Sequence, residues 1–139
     1  IASIKDSTAM YFSCDVGKFF DRERGILDVD YLDYGSLFGT TFGMDKKQRI
    51  LTHSSGSSHA MTLVAVDLDD KGTPVKWMVE NSWGPGANGG HLILTDKWFD
   101  EYMFRLVVDK KYLTDKAAQV LKQKPTALPA WDPMFAPEQ

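Results

Sequence analysis

Period-two patterning is clearest in the middle of the chain. Met61-Thr62-Leu63-Val64-Ala65-Val66-Asp67 is rich in β-formers, and Val75-Lys76-Trp77-Met78-Val79-Glu80-Asn81 alternates in side-chain direction. Both runs predict strands, and Asp69-Asp70-Lys71-Gly72-Thr73 between them predicts the turn of a hairpin. His91-Leu92-Ile93-Leu94-Thr95 and Phe104-Arg105-Leu106-Val107-Val108 add two strands, separated by a short helix over Asp96 to Met103 that Thr95 or Asp96 can cap. Upstream, Tyr11 and Phe12 read as strand residues. Asp15 to Arg24 sets Val16, Phe19 and Phe20 among charges at helical spacing ahead of Gly25, so a short helix is expected there. Ile26 to Gly43, rich in Asp, Gly and Tyr, reads as irregular loop with short extended pieces. Thr114 to Lys124 predicts a terminal amphipathic helix, after which Pro125, Pro129, Pro133 and Pro137 hold the chain extended. The class is α+β with a mainly antiparallel sheet, residues 1–124 forming the folded unit and 125–139 an arm.

Composition narrows the picture without changing it. The chain has 139 residues, 43% hydrophobic and 25% charged, enough for one domain with a core. A net charge of −3 provides no footprint for nucleic acid, and no apolar run approaches the roughly 18 residues of a membrane-spanning helix. The single cysteine, Cys14, makes no internal disulfide, which points to a reducing, cytoplasmic setting. Ile1-Ala2-Ser3-Ile4-Lys5-Asp6-Ser7 carries neither an initiating methionine nor a targeting pattern, as expected of a start inside a longer polypeptide. Asp28, Asp30 and Asp33 do not form a calcium loop, because Asp33 stands where the sixth-position glycine belongs and Gly39 where the final glutamate belongs. No metal or organic cofactor is expected. Gly84, Gly86, Gly89 and Gly90 lack the lysine and hydroxyl residue of a phosphate cradle and read as a tight loop.

The chemistry concentrates at the ends of the predicted hairpin. His59 lies between the small residues Ser58 and Ala60, which leave its ring accessible, and Asn81 closes the second strand. An imidazole that activates a thiol must be held in one tautomer and one orientation, and an asparagine amide oxygen achieves this by accepting from the ring nitrogen that faces away from the sulfur. Trp83 is placed to keep water off that bond. The pair reads as base plus orienter. The nucleophile is missing: Cys14, between Ser13 and Asp15, reads as a buried small hydrophobe. His53 and His91 read as surface or packing residues, and Trp77, Trp98 and Trp131 as core and docking aromatics.

Six ordered strings carry a resemblance over nearly the whole chain: Phe12-Ser13-Cys14-Asp15-Val16-Gly17-Lys18, Phe42-Gly43-Met44-Asp45-Lys46, Ser58-His59-Ala60-Met61-Thr62, Lys76 through Gly84, Thr95 through Tyr102, and Leu128 through Met134. On these the chain resembles the C-terminal part of the aminopeptidase C and bleomycin hydrolase family of papain-like cysteine peptidases. The resemblance implies a fold with a helical lobe bearing the nucleophile and a β-rich, barrel-like lobe with flanking helices bearing histidine and asparagine, the latter being the part in hand. It implies a cysteine aminopeptidase that hydrolyses N-terminal peptide bonds through a Cys-His-Asn triad, with His59 as general base, Asn81 as orienter, and Ser58, Ala60 and Trp83 in support. The glutamine and cysteine segment of the family does not occur here, since Gln48, Gln119, Gln123 and Gln139 have no cysteine after them, so this chain by itself is expected to be inactive. The resemblance further implies peptide substrates with free N-termini, the enzyme's own N-terminal part as partner, and a hexameric homo-oligomer. It also implies a C-terminal arm in which Glu138 and Gln139 anchor the substrate's amino group, although Phe135-Ala136-Pro137-Glu138-Gln139 departs from the family's small-residue ending. The alternative from another class is a non-catalytic peptide-binding or assembly module that keeps the lobe.

Overall fold

Alternation in the middle of the chain produces the hairpin that organises the molecule. In the computed structural model, which describes residues 1–86 and 88–135, strand β4 (His59–Leu68) turns into β5 (Pro74–Glu80). The Asp69 carboxylate closes the turn by accepting from the Lys71 and Thr73 amides, each at 2.8 Å, and Gly72 takes a left-handed φ of 79°. Strand β1 (Met10–Cys14) pairs with the other edge of β4, and β6 (His91–Thr95) with the other edge of β5, so Met10, Leu63, Val79 and Leu92 form one row across four strands. All four are buried. A one-residue irregularity in β4 between Leu63 and Ala65 shifts the register so that Val66 pairs with Trp77.

Helix α1 (Ala2–Lys5) precedes β1, and helix α2 (Tyr34–Phe38), capped by Asp33, lies within the expected loop. A further helix, α3 (Lys46–Leu51), begins with a capping box in which Asp45 and Gln48 satisfy each other's backbone amides. Helix α4 (Asp96–Tyr102) lies on the apolar face of the sheet and buries Trp98, Phe99 and Tyr102. Phe99 stacks on Trp77 at 5.0 Å and meets Phe12 at 5.7 Å. Both indole N–H groups in this layer are satisfied, Trp77 donating to Asp96 at 2.8 Å and Trp98 to the Lys18 carbonyl at 2.7 Å. Thr95 caps α4 through the Trp98 amide, and Lys46 of α3 donates to the Asp100 carbonyl at its other end at 2.7 Å.

Strands β2 (Phe20–Asp21), β3 (Ile26–Leu27) and β7 (Met103–Val107) complete a seven-stranded sheet in the order β2-β3-β6-β5-β4-β1-β7. Among the described residues only β3 and β6 run parallel. The sheet is open, with β2 and β7 as its edges, so the barrel-like closure expected from the resemblance is not found, while the α+β, β-rich character is.

Three expectations are corrected. Residues 15–24 do not form a helix. The chain turns through 16–19 into β2, where the buried Asp21 carboxylate accepts from the Glu23 and Arg24 amides at 3.1 Å each and Gly25 closes a hairpin. The terminal helix α5 spans only Asp115–Val120 after its Thr114 cap, because residues 121–131 are exposed and nothing packs on a longer face. Trp131 is 82% exposed, not core. Glu138 and Gln139 lie outside the described residues, of which no helix is long and apolar enough to cross a membrane.

Candidate active site

His59 opens β4 and Asn81 follows the last residue of β5, so antiparallel pairing sets the entry of one strand beside the exit of the other. The backbone on each side is anchored beyond the strand ends. The Ser58 amide donates to the Cys14 carbonyl at 3.0 Å, extending the β1–β4 ladder one step, and the Asn81 amide donates to the Gly90 carbonyl at 2.8 Å. Ser55 in the approach to His59 donates from its hydroxyl to the buried Asp15 carboxylate at 2.8 Å, which pins that loop to the end of β1.

The two side chains, 22 residues apart, meet through His59 Nε2 and Asn81 Oδ1 at 2.8 Å. Their hydrogen-bond chemistry is determined by a third group. The Ser82 amide also donates to Asn81 Oδ1, at 2.8 Å, so that atom is the amide oxygen and accepts only. Nε2 of His59 is therefore the donor, and in the neutral ring the lone pair resides on Nδ1, which forms no hydrogen bond among the described residues. The Trp83 indole lies against the imidazole, ring centroids 4.8 Å apart and planes 31° apart, while remaining 51% exposed. Ser58 is exposed and Ala60 half-buried, and neither covers the ring with a large side chain.

Cys14 is the cross-strand partner of His59, yet among the described residues no side-chain hydrogen bond links the two. Its side chain is fully buried at 0% exposure, and burial first, with the Asp15 charge second, pushes the thiol pKa up from an ordinary 9.0 to about 12. A thiol held protonated in this way is a packing group, not a nucleophile. His53 is exposed at a φ of 56°, and His91 is half-buried at the start of β6; neither joins the pair. A cavity of about 1120 Å³ bounded by Phe19, Tyr34, Phe38, Phe42, Met44 and Tyr102 is lined by neither His59 nor Asn81.

One layer escaped the sequence reading. Phe20 of β2 lies 6.1 Å from Trp83, with the Arg22 guanidinium over both rings. The signal was an Asp21-to-Gly25 turn between Phe20 and Ile26, which the helical spacing of the same apolar residues obscured. What the assembled groups can do is accept a proton at Nδ1 and return it, which is half of a nucleophile–base pair.

The family model described as "Peptidase C1-like family" matches residues 1–135. The chain is 47% identical over 139 residues to bleomycin hydrolase from Mus musculus, covering 97% of this chain and 30% of that protein. It is 39% identical to aminopeptidase C from Lactococcus lactis subsp. lactis (strain IL1403), covering 98% of this chain and 31% of that protein. A crystal structure of PepW from Lactobacillus rhamnosis HN001 superposes with a TM-score of 0.88 at 42% identity, covering 97% of this chain and 31% of that one. The chain thus spans about 30% of the length of the curated relatives it matches.

Proposed function

This chain belongs to the Peptidase C1-like family, and from that membership we propose that it supplies the general base and its orienter to a cysteine aminopeptidase whose nucleophile lies outside these residues. The observation that carries the reading is the 2.8 Å bond from His59 to an Asn81 oxygen whose identity the Ser82 amide determines. That bond directs the basic Nδ1 away from the asparagine, where a thiol from the rest of the enzyme would meet it. In this reading His59 takes the thiol proton, and the resulting thiolate attacks the carbonyl of the N-terminal peptide bond. Collapse of the tetrahedral intermediate transfers the proton from His59 to the leaving amine and leaves a thioester, which water hydrolyses with His59 again acting as base. Trp83 limits competition by water for the His59–Asn81 bond.

Substrates in this proposal are peptides with free N-termini, selected by the arm over 125–139, with Glu138 and Gln139 closest to the substrate amine. Assembly into a homo-oligomer, a hexamer by resemblance, belongs to the same reading and is supported by the exposed apolar side chains of Leu37, Phe38 and Phe42. The experiment is turnover of an aminoacyl fluorogenic substrate by the complete enzyme and its His59→Ala and Asn81→Ala variants. Abolition in the first and a partial loss in the second are expected; unchanged kcat/KM in both removes the pair from the active site.

A further inference from the structure

Trp83 is the least anchored member of the site. It follows Asn81 out of the sheet, neither its backbone nor its indole N–H forms a hydrogen bond among the described residues, and half of its surface is open. Packing must therefore hold it, and two rings lie against it among the described residues: His59 at 4.8 Å and Phe20 at 6.1 Å, the latter inclined by 35°. Arg22 completes the group, its guanidinium carbon 5.1 Å from the Phe20 centroid and 5.9 Å from that of Trp83.

The hairpin that carries Phe20 is itself held firmly. Phe20 pairs with Leu27, Asp21 with Ile26, β3 runs along β6, and the Ile93 amide donates to the Gly25 carbonyl at 2.9 Å. The same hairpin meets the far end of the loop that begins at Asn81. Gly25 lies so close to Asn88 that a Cβ there would collide with the Asn88 side-chain amide. Residues 20–25 thus touch that loop at Trp83 and again at Asn88.

From this bracket we infer that the β2–β3 hairpin is a positioning element for the candidate catalytic pair: Phe20, backed by Arg22, holds Trp83 on the His59 ring. The inference rests on the function proposed for His59 and Asn81 and adds residues that neither touch the substrate nor carry protons. Phe20 acts through Trp83, and Trp83 through the imidazole. Removing the Phe20 ring leaves the indole without its second partner, admits water to the His59–Asn81 bond, and reduces the fraction of time the imidazole faces the nucleophile.

The test uses the complete enzyme with Phe20→Ala, Phe20→Leu, Phe20→Tyr, Asn81→Ala and the Phe20→Ala/Asn81→Ala double variant, each checked by thermal melting. Phe20→Ala and Phe20→Leu should lower kcat about tenfold with KM within about twofold of the parent, and Phe20→Tyr, which restores a ring, should retain most activity. Because both residues act through one imidazole, the double variant should lose little more than Asn81→Ala alone. Multiplying losses, or full activity in Phe20→Leu, overturns the inference while leaving the proposed function intact. A normal kcat in Asn81→Ala overturns both. If Phe20→Ala fails to fold, the Leu and Tyr pair decides, since they differ in the ring but both fill the site.

Discussion

At the scale of single residues, the site depends on one amide oxygen with two donors. Asn81→Ala removes the acceptor for both His59 Nε2 and the Ser82 amide, so the ring samples unproductive orientations but keeps its proton chemistry. In the complete enzyme the loss in kcat/KM should fall between about tenfold and a thousandfold, about 1.4 to 4 kcal/mol, whereas His59→Ala should abolish turnover. Cys14 makes a separate prediction about pH. Its folded pKa is raised to about 12 from 9.0, so between those values the unfolded chain binds fewer protons than the folded one and stability falls as pH rises. The slope approaches about 1.4 kcal/mol per pH unit above pH 9 and is absent below it. Chemical denaturation between pH 8 and 11 should show a slope in the parent that is less negative by this amount in Cys14→Ala, the remainder coming from groups such as Tyr102, whose pKa burial also raises. Both candidate catalytic residues were readable from sequence because His59 and Asn81 flank one hairpin; the tautomer was not, since it depends on the Ser82 amide turning back onto the side chain.

At the scale of elements, α4 carries the packing. Trp98 is 0% exposed beneath the sheet, so Trp98→Ala should destabilise by about 3–5 kcal/mol, measured by denaturant unfolding. Helix α4 was visible from Thr95 and the apolar spacing after it, and its cap is as expected. Residues 15–24 misled because Val16, Phe19 and Phe20 have helical spacing, yet three different surfaces claim the segment: Trp98 takes the Lys18 carbonyl, Tyr102 faces Phe19 at 5.9 Å, and Trp83 meets Phe20. Local turn bonding by Asp21 then outweighs helix propensity. Gly25 sits at a φ of 66° in that hairpin, so Gly25→Ala should cost about 1–2 kcal/mol from backbone strain alone, seen as a lowered Tm.

At the scale of the molecule, the chain spans about 30% of its curated relatives and brings the proposed base and orienter, while its one cysteine is held as a protonated, buried thiol. A polypeptide of these 139 residues alone should therefore not turn over an aminoacyl fluorogenic substrate; turnover that a thiol alkylator blocks would refute this. The arm is tested in the complete enzyme. In the proposed function the arm docks in the cleft with Glu138 and Gln139 closest to the substrate amine, and its prolines would reduce the entropy lost on docking. Deleting residues 135–139 should lower cleavage of free-amine dipeptides and raise cleavage of N-acetylated peptides, and an unchanged preference would place the selectivity in the cleft walls.

What the sequence determined by itself was local or periodic: alternation defined β4 and β5, a hydroxyl before an apolar run marked α4, and small neighbours around His59 with Asn81 beyond the turn marked the pair. Those signals lie within one element or one hairpin, where spacing alone dictates which side chains meet. Tertiary structure alone decided the open sheet and the hairpin behind Trp83. Each of these arises from surfaces distant in the chain competing for the same residues. Phe20 illustrates the difference: its spacing fits a helix, but in the fold its ring packs against the core and meets Trp83, which the return from Asn81 brings to it.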